Sequence, residues 1–490
     1  MVAMVMFLLA SGARATDTVD LVGGHGVIQF NLIGGGISRW QACREGCDNP
    51  AAITNVMQAA GDTFLIRPAG TDDQLDRHLL ATRYSIESRQ PQSLTLTSAP
   101  IANDVRLQLH YELLDNGRRL AVAMQLRGPG AGRFRNNHDL QLAMREPAGF
   151  GASDSAGFTG LVERTRWIRL TDGDVTTPTA TTEPAEWAGI RNRFWTLIAR
   201  QPQGQITAML PASDNGAVMR IAAGQAPRFE FYAGSVEPGV LASQPADLQG
   251  LWIAAVWDWL RWLAMGLYYL LEWLIGLIGH HGLAIVALAL SVKILMSPLT
   301  LIAGRWQQQV NRIQARLQPE LQRIKAEYRG EEQANRVLTL HREYGVTPFY
   351  PIKSLFGVLI QLPVFIGVFD MLLHHSGLSG IPLLWIENLA QPDRLLPLPF
   401  ELPFFGGYLN LLPFLMTGIN VFASQQADAA GLDVDAHQRR RYWLYGMALL
   451  FFILFYTFPA AMVLYWTSSN LFHWLGERLM QYRRTRHHAA

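Results

Sequence analysis

The chain has almost no lysine and almost no cysteine. Of its 490 residues, only Lys293, Lys325 and Lys353 are lysines, and positive charge is otherwise carried by arginine. Two cysteines, Cys43 and Cys47, exclude a disulfide-stapled scaffold. Their CxxxC spacing is equally compatible with one disulfide and with two thiols, and no thiol chemistry is implied. Charged residues make up 16% of the chain, the net charge is +2, and no extended basic domain occurs. Large-scale nucleic-acid binding is therefore excluded, DNA included. No nucleotide-binding loop is present, so no intrinsic ATPase and no cofactor are expected.

What the chain has in abundance is apolar surface. Hydrophobic residues reach 49%, with 14 tryptophans, and a chain of this length exceeds one domain. Residues 16–245 read as an ordinary soluble mixture, whereas 251–480 hold nearly all the long apolar runs. The first residues, MVAMVMFLLASGARATD, carry a short apolar stretch and an Ala13-Arg14-Ala15 site. Segment 1–17 reads as a secretory signal without a basic start, or as a truncated hydrophobic segment, and is too short to span a bilayer. Export of the adjoining half, 18–245, is expected.

Residues 18–245 alternate as β-strands. GVIQFNLI, SLTLTSA, FWTLIARQ, QITAML and RFEFYAG are strand-like, with Gly- and Pro-rich punctuation. VRLQLHYELLDNGRRLAVAMQLRG reads as two strands around Asp115-Asn116-Gly117, a strong hairpin signal. An antiparallel sandwich of binding or spacer type is predicted. This half shows no metal-ligand spacing, nucleophile elbow or phosphate loop. His25, His78, His110 and His138 are scattered and read as surface or strand-packed side chains.

Residues 246–280 form the next segment. In LWIAAVWDWLRWLAMGLYYLLEWLIGLIG (251–279), Asp258, Arg261 and Glu272 fall within about 60° at 100° per residue. The stretch is long enough to span, but a single narrow polar stripe on a tryptophan-rich helix suits a helix lying in the membrane interface. The spanning alternative would leave only His280-His281-Gly282 before the next span and put the exported half on the wrong side. Five spans are then predicted, over 282–303, 354–374, 406–424, 442–458 and 460–479. Basic residues crowd 304–353, the 425–441 loop and the tail 481–490, while the 376–405 loop holds Arg394 alone. The positive-inside rule puts the first three in the cytoplasm. Five spans that start outside end inside, which agrees with an exported N-terminal half. Within 304–353, Trp306, Val310, Ile313, Leu317, Leu321 and Ile324 recur at helical steps. They predict a cytoplasmic hairpin, with a kink at Pro319, a break at Gly330 and an end at Pro348 and Pro351.

Lys293 lies about eleven residues into the first span, roughly 17 Å from its outer end. A cation at mid-bilayer costs at least about 2.5–3.5 kcal/mol unless it meets water or a partner. Snorkelling to the cytoplasmic face requires the side chain to reach over more than a turn. A buried ion pair is the second reading. Apart from Glu477 at the cytoplasmic end of the last span, Asp370 is the only acidic residue inside any other span. Its depth differs by roughly 10 Å, and it is expected to reach the outer headgroups instead. A water-filled groove is the third reading. Gln361, Thr417, Asn420, Thr467, Ser468, Ser469 and Asn470 supply polar groups at comparable depth, although each alone could be a helix-packing hydrogen bond.

These residues resemble the YidC family of membrane protein insertases, in its Gram-negative form with a periplasmic domain. The carriers are the cation five positions before Pro298-Leu299-Thr300, the basic hairpin, LIQLPVFIGVFDML (359–372) and FPAAMVLYWTSSNLF (458–472). The resemblance implies a membrane α-helical core, 281–480, of five transmembrane helices plus the interfacial helix and cytoplasmic hairpin, with an N-terminal all-β sandwich in the periplasm. It further implies a groove open to the cytoplasm and lipid, containing Lys293, Gln361, Thr417, Asn420, Ser468, Ser469 and Asn470. An apolar slide of Phe365, Tyr465 and Trp466 would lie beside it. The implied partners are nascent membrane proteins and lipids, with the Sec translocon and the ribosome as candidates, and the implied location is the bacterial inner membrane. Lys293 stands where the family typically has arginine, and Ala289 where well-known members have a hydroxyl, which marks a divergent member. Two other readings remain at this point: a secondary transporter using Lys293, against which stands the lack of an inverted repeat, and a non-transporting scaffold.

Overall fold

The computed structural model describes residues 17–43, 47, 53–58, 65–70, 72–102, 104–138, 140–145, 166–171, 174–176, 187–202, 218–222, 228–244, 248, 251–252, 258–344, 356–403, 405–425 and 434–489. The signal-like segment 1–16, the strand expected at 205–210, and Pro348 and Pro351 lie outside the described residues. The chain divides into two compact units. One comprises 1–154 with 160–255, the other 256–490 with 155–159.

The first unit is all-β apart from short helices. Its strands are β1 Thr18–Val22, β2 Gly26–Asn31, β3 Ile37–Cys43, β4 Ile53–Gln58, β5 Ile66–Gly70, β6 Tyr84–Gln90, β7 Ser93–Ser98 and β8 Arg106–Leu114. They continue with β9 Arg119–Arg127, β10 Leu140–Arg145, β11 Arg166–Thr171, β12 Asp174–Thr176, β13 Trp187–Arg191, β14 Trp195–Arg200, β15 Val218–Ala222 and β16 Arg228–Ser235. One sheet has the order β1-β2-β3-β5-β10-β15, with β4 on β3; the other runs β12-β11-β13-β14-β16-β9-β8-β7-β6. Side chains alternate between faces, so Leu107, Leu109, Tyr111 and Leu113 of β8 point inward. They join Ile28, Phe30 and Trp40 of the other sheet in one core, which makes the pair a sandwich. Each such fully buried side chain contributes roughly 1.5–3 kcal/mol.

The expected hairpin forms as β8, a tight turn at Asp115–Gly117, and β9. Asn116 and Gly117 take φ of 58° and 100°, conformations open to Asn and Gly at low cost. The tip is locked to the β1–β2 turn. His25 N donates to Asn116 O at 2.8 Å, and Gly24 N donates to Asn116 Oδ1 at 2.9 Å. Cys47 is disulfide-bonded, so the thiol alternative for it falls away.

The second unit is helical. Helix α1 spans Asp258–Ile278, α2 His281–Glu327, α3 Gly330–Glu343, α4 Phe356–Leu373, α5 Leu412–Gln425, α6 Val434–Phe455 and α7 Ala460–Ala489. Two of these contain stretches long and apolar enough to cross a membrane, Trp259–Ile278 and His281–Glu327. Three shorter apolar stretches, Gln361–Leu373, Leu412–Ala423 and Tyr442–Phe455, accompany them. The segment read as interfacial thus meets the length and composition of a span. On α1, Leu260, Ala264, Leu267, Leu271 and Leu274 are buried at three- and four-residue steps, and the helix packs against α2 and α4.

Helix α2 includes both Pro298 and Pro319; a proline inside a helix removes one backbone hydrogen bond. One detail differs from expectation. The span expected from 406 begins only at Leu412, because 406–409 pairs as a strand with Leu396–Leu402. Gly406 takes φ of 76°, and buried Asp393 accepts from the N–H groups of Leu411 and Leu412 at 2.7 and 2.8 Å, capping α5 there. Asp370 is only partly exposed, and its Oδ1 lies 3.2 Å from His374 Nδ1, one turn along the same helix. The α2–α3 hairpin turns at Gly330, with φ of 65°, and buries Val310, Leu317 and Leu340, closing its own apolar stripe.

Candidate functional site

Helix α2 buries Gly282, Ala284, Ile285, Leu288, Ala289 and Val292 along one face. Lys293 comes after Val292 around the helix, which turns its half-buried side chain off the packed face toward α4 and α7. There the three helices enclose a cavity of about 330 Å³. Its walls include Lys293, Gln361, Phe365, Tyr465, Trp466 and Ser469. These are six of the residues singled out in the sequence, drawn together from three separate segments.

Thr417, Asn420, Ser468 and Asn470 are not among the described lining residues. Ser468 is buried, and Thr417 Oγ1 and Asn470 Nδ2 are buried without a protein hydrogen-bond partner. Thr467 bonds back to Val463 O of its own helix at 2.7 Å. A hydroxyl bonded to its own helix in this way is satisfied locally.

The apolar wall is aromatic. The Phe365 and Trp466 rings meet edge to face at 4.9 Å between centroids, Phe369 packs tilted at 4.1 Å from Phe365, and Tyr465 is buried. Trp466 Nε1 has no protein partner although it lies beside the cavity. One end of the site is cationic and amide-bearing, the other a packed ring surface. The arrangement suits a segment that is polar at one end and apolar at the other.

Sequence reasoning missed two parts of the site. Met296, Thr300, Ala303, Gly304 and Gln307 continue the cavity wall below Lys293. Their steps of three and four from residue 293 were the available signal. They carry the cavity past 303, where the span was expected to end. His473 is the other omission: Lys293 Nζ lies 3.1 Å from His473 Nδ1 on α7. That histidine is one turn beyond Ser469, on the same helix face.

Comparisons with known proteins address the same half of the chain. Residues 273–487 match the family described as 60Kd inner membrane protein. A membrane protein insertase YidC from Syntrophobacter fumaroxidans is 32% identical over 247 residues, which is 50% of this chain and 42% of that protein. The protein of the same name from Chlamydia trachomatis is 30% identical over 230 residues, covering 45% of this chain and 28% of its own. The matches thus span less than half the length of these relatives. A crystal structure of an active YidC insertase aligns over 95% of this chain and 93% of its own, at 17% identity and a TM-score of 0.36. The cation, the aromatic wall and both sequence signatures lie inside residues 273–487, the part of the chain that is similar to the YidC insertases.

Proposed function

We propose that the protein inserts nascent membrane proteins into the bacterial inner membrane, through the cavity beside Lys293 and without making or breaking a covalent bond. The observation that carries the reading is the cavity itself. A half-buried cation sits in its wall, with Gln361 and Ser469 as further polar groups and Phe365, Tyr465 and Trp466 as an apolar flank. A client's short polar tail enters from the cytoplasmic side and is held transiently by Lys293. Its apolar segment meanwhile moves along the aromatic wall into lipid. Partial solvation at mid-depth lowers the cost of carrying the tail outward, and burial of apolar surface in lipid drives the net transfer.

The proposed topology rests on the placement of arginine and lysine. The β-sandwich lies in the periplasm, helices α2, α4, α5, α6 and α7 cross the membrane, and the α2–α3 hairpin and the basic tail lie in the cytoplasm. Clients and lipid are the direct partners; the Sec translocon and the ribosome are partners by the same reading. The insertase relatives leave the secondary-transporter alternative without support.

The test is insertion into reconstituted vesicles, scored by protease protection of the client. Lys293→Ala should reduce insertion of a client with an acidic tail at least tenfold, and Lys293→Arg should restore it, since one charge-assisted contact is worth roughly 1.5–3 kcal/mol. Full insertion by the alanine variant would remove the groove charge from the mechanism.

A further inference from the structure

We propose that His473 is a positioning residue for the groove cation, holding the Lys293 ammonium where an acidic client tail meets it. The inference rests on the insertase reading above and adds to it a determinant of client selectivity. Its basis is the 3.1 Å separation of Lys293 Nζ and His473 Nδ1, across two helices 180 residues apart in sequence.

The chemistry of the pair fixes its direction. A lysine ammonium carries three donors and no acceptor, so the bond requires Nδ1 to accept. The ring proton therefore resides on Nε2, and the imidazole is neutral. Lysine differs from arginine in having a point charge on a flexible four-carbon stem, with no rigid fork to orient it. A fixed acceptor beside Nζ supplies the missing orientation. Lys293 lines the cavity, and His473, exposed beside it, is not among the described lining residues.

The turn of α7 that carries His473 is anchored by its neighbour. Trp474, the next residue, packs against Phe422 of α5 at 5.7 Å and lies under the Arg478 guanidinium at 5.9 Å, which anchors this turn of α7. Lys293 is the thirteenth residue of α2 and His473 the fourteenth of α7. In the proposed topology both helices start at the periplasmic side, so the two groups lie at equal depth, roughly 18–20 Å down each helix. An ammonium at that depth gains from any acceptor that keeps it out of hydrocarbon.

The experiment compares full-length variants in vesicles with two clients, one with an acidic tail and one with the same tail neutralised. His473→Leu should slow the acidic client roughly five- to tenfold and leave the neutral one within twofold. His473→Asn, whose amide oxygen occupies the position of Nδ1, should retain the wild-type rate. Arginine at 293 should rescue His473→Leu, because its fork needs no orienting partner. Imidazole ¹⁵N spectra, with the His473 signal assigned by its loss in His473→Asn, should show Nδ1 unprotonated and shifted by Lys293→Ala. Equal slowing of both clients by His473→Leu, or an Nδ1–H tautomer, would overturn the positioning role. Full insertion by His473→Leu alongside an impaired Lys293→Ala would overturn it too, while sparing the groove charge. Full insertion by Lys293→Ala would instead sink the insertase reading on which it stands.

Discussion

The two halves of this molecule place the same side chains on opposite sides. In the β-sandwich, Phe30, Trp40, Phe229 and Phe231 are almost wholly buried, while Arg106, His110, Gln125 and Arg127 line the outside. In the helical half, Ile294 and Leu295 are 63% and 69% exposed and Trp443 66%, while Lys293 and Ser469 face a cavity. Water explains the first arrangement and lipid the second. In hydrocarbon an exposed leucine loses nothing, so burial stops being the driving term, and close packing with hydrogen bonds takes over. An accessible surface of this kind signals what surrounds it.

Truncation should break the symmetry most. Phe231→Ala in the sandwich core is expected to cost about 3–5 kcal/mol, from lost burial plus the cavity left behind. Leu295→Ala should cost less than about 1 kcal/mol in bilayers, since lipid fills the space it vacates. Chemical denaturation of the purified protein, followed by tryptophan fluorescence for each unit, measures both. A large loss at Leu295 would mean that it packs against protein rather than lipid.

A polar deletion sharpens the contrast with a change of sign. Thr196 is fully buried in the sandwich and donates from Oγ1 to Ile190 O at 2.9 Å. Thr196→Val should destabilise by about 0.5–1.5 kcal/mol. Thr417 Oγ1 is buried without a protein partner in the helical half, so Thr417→Val should be neutral or stabilising by about 1 kcal/mol. Thermal melts in detergent distinguish the two signs.

The smallest effect is a shift with pH on the sandwich surface. Thr97 Oγ1 and Gln108 Nε2 both donate to Glu87, with Arg127 nearby. The hydroxyl bond first, then the amide bond and the guanidinium, hold the Glu87 carboxyl below its ordinary range. A depressed carboxyl stabilises above its unfolded-state value and loses that contribution as pH falls through the folded one. Glu87→Gln should therefore lower neutral-pH melting slightly and flatten its decline in the acid range, as thermal melts across pH would show.

The hairpin at 115–117 was legible because its turn residues state their own geometry, and α1 and the α2–α3 hairpin because apolar residues recur at helical steps. The start of α5 was not. Composition favoured a helix from 406, and Asp393, 18 and 19 residues upstream of the two N–H groups it accepts from, supplies the cap that begins it at 412 instead. The site divided in the same way. Its cation and aromatic wall stood out as residue types unusual for their depth, whereas His473 looked like one more residue of an apolar helix until α2 lay beside it.

Taken alone, the order of amino acids determined the split into a β half and an apolar helical half, the placement of charge, and the presence of one lysine where hydrocarbon was expected. Patterns of period two and about 3.6 arise from local backbone geometry, which every residue carries with it. Tertiary structure decided which polar groups share the cavity, that Thr417 and Asn470 do not line it, and that Lys293 meets an imidazole. Those outcomes depend on how helices far apart in sequence rotate against one another, and helix rotation is set by the packing of all their faces together.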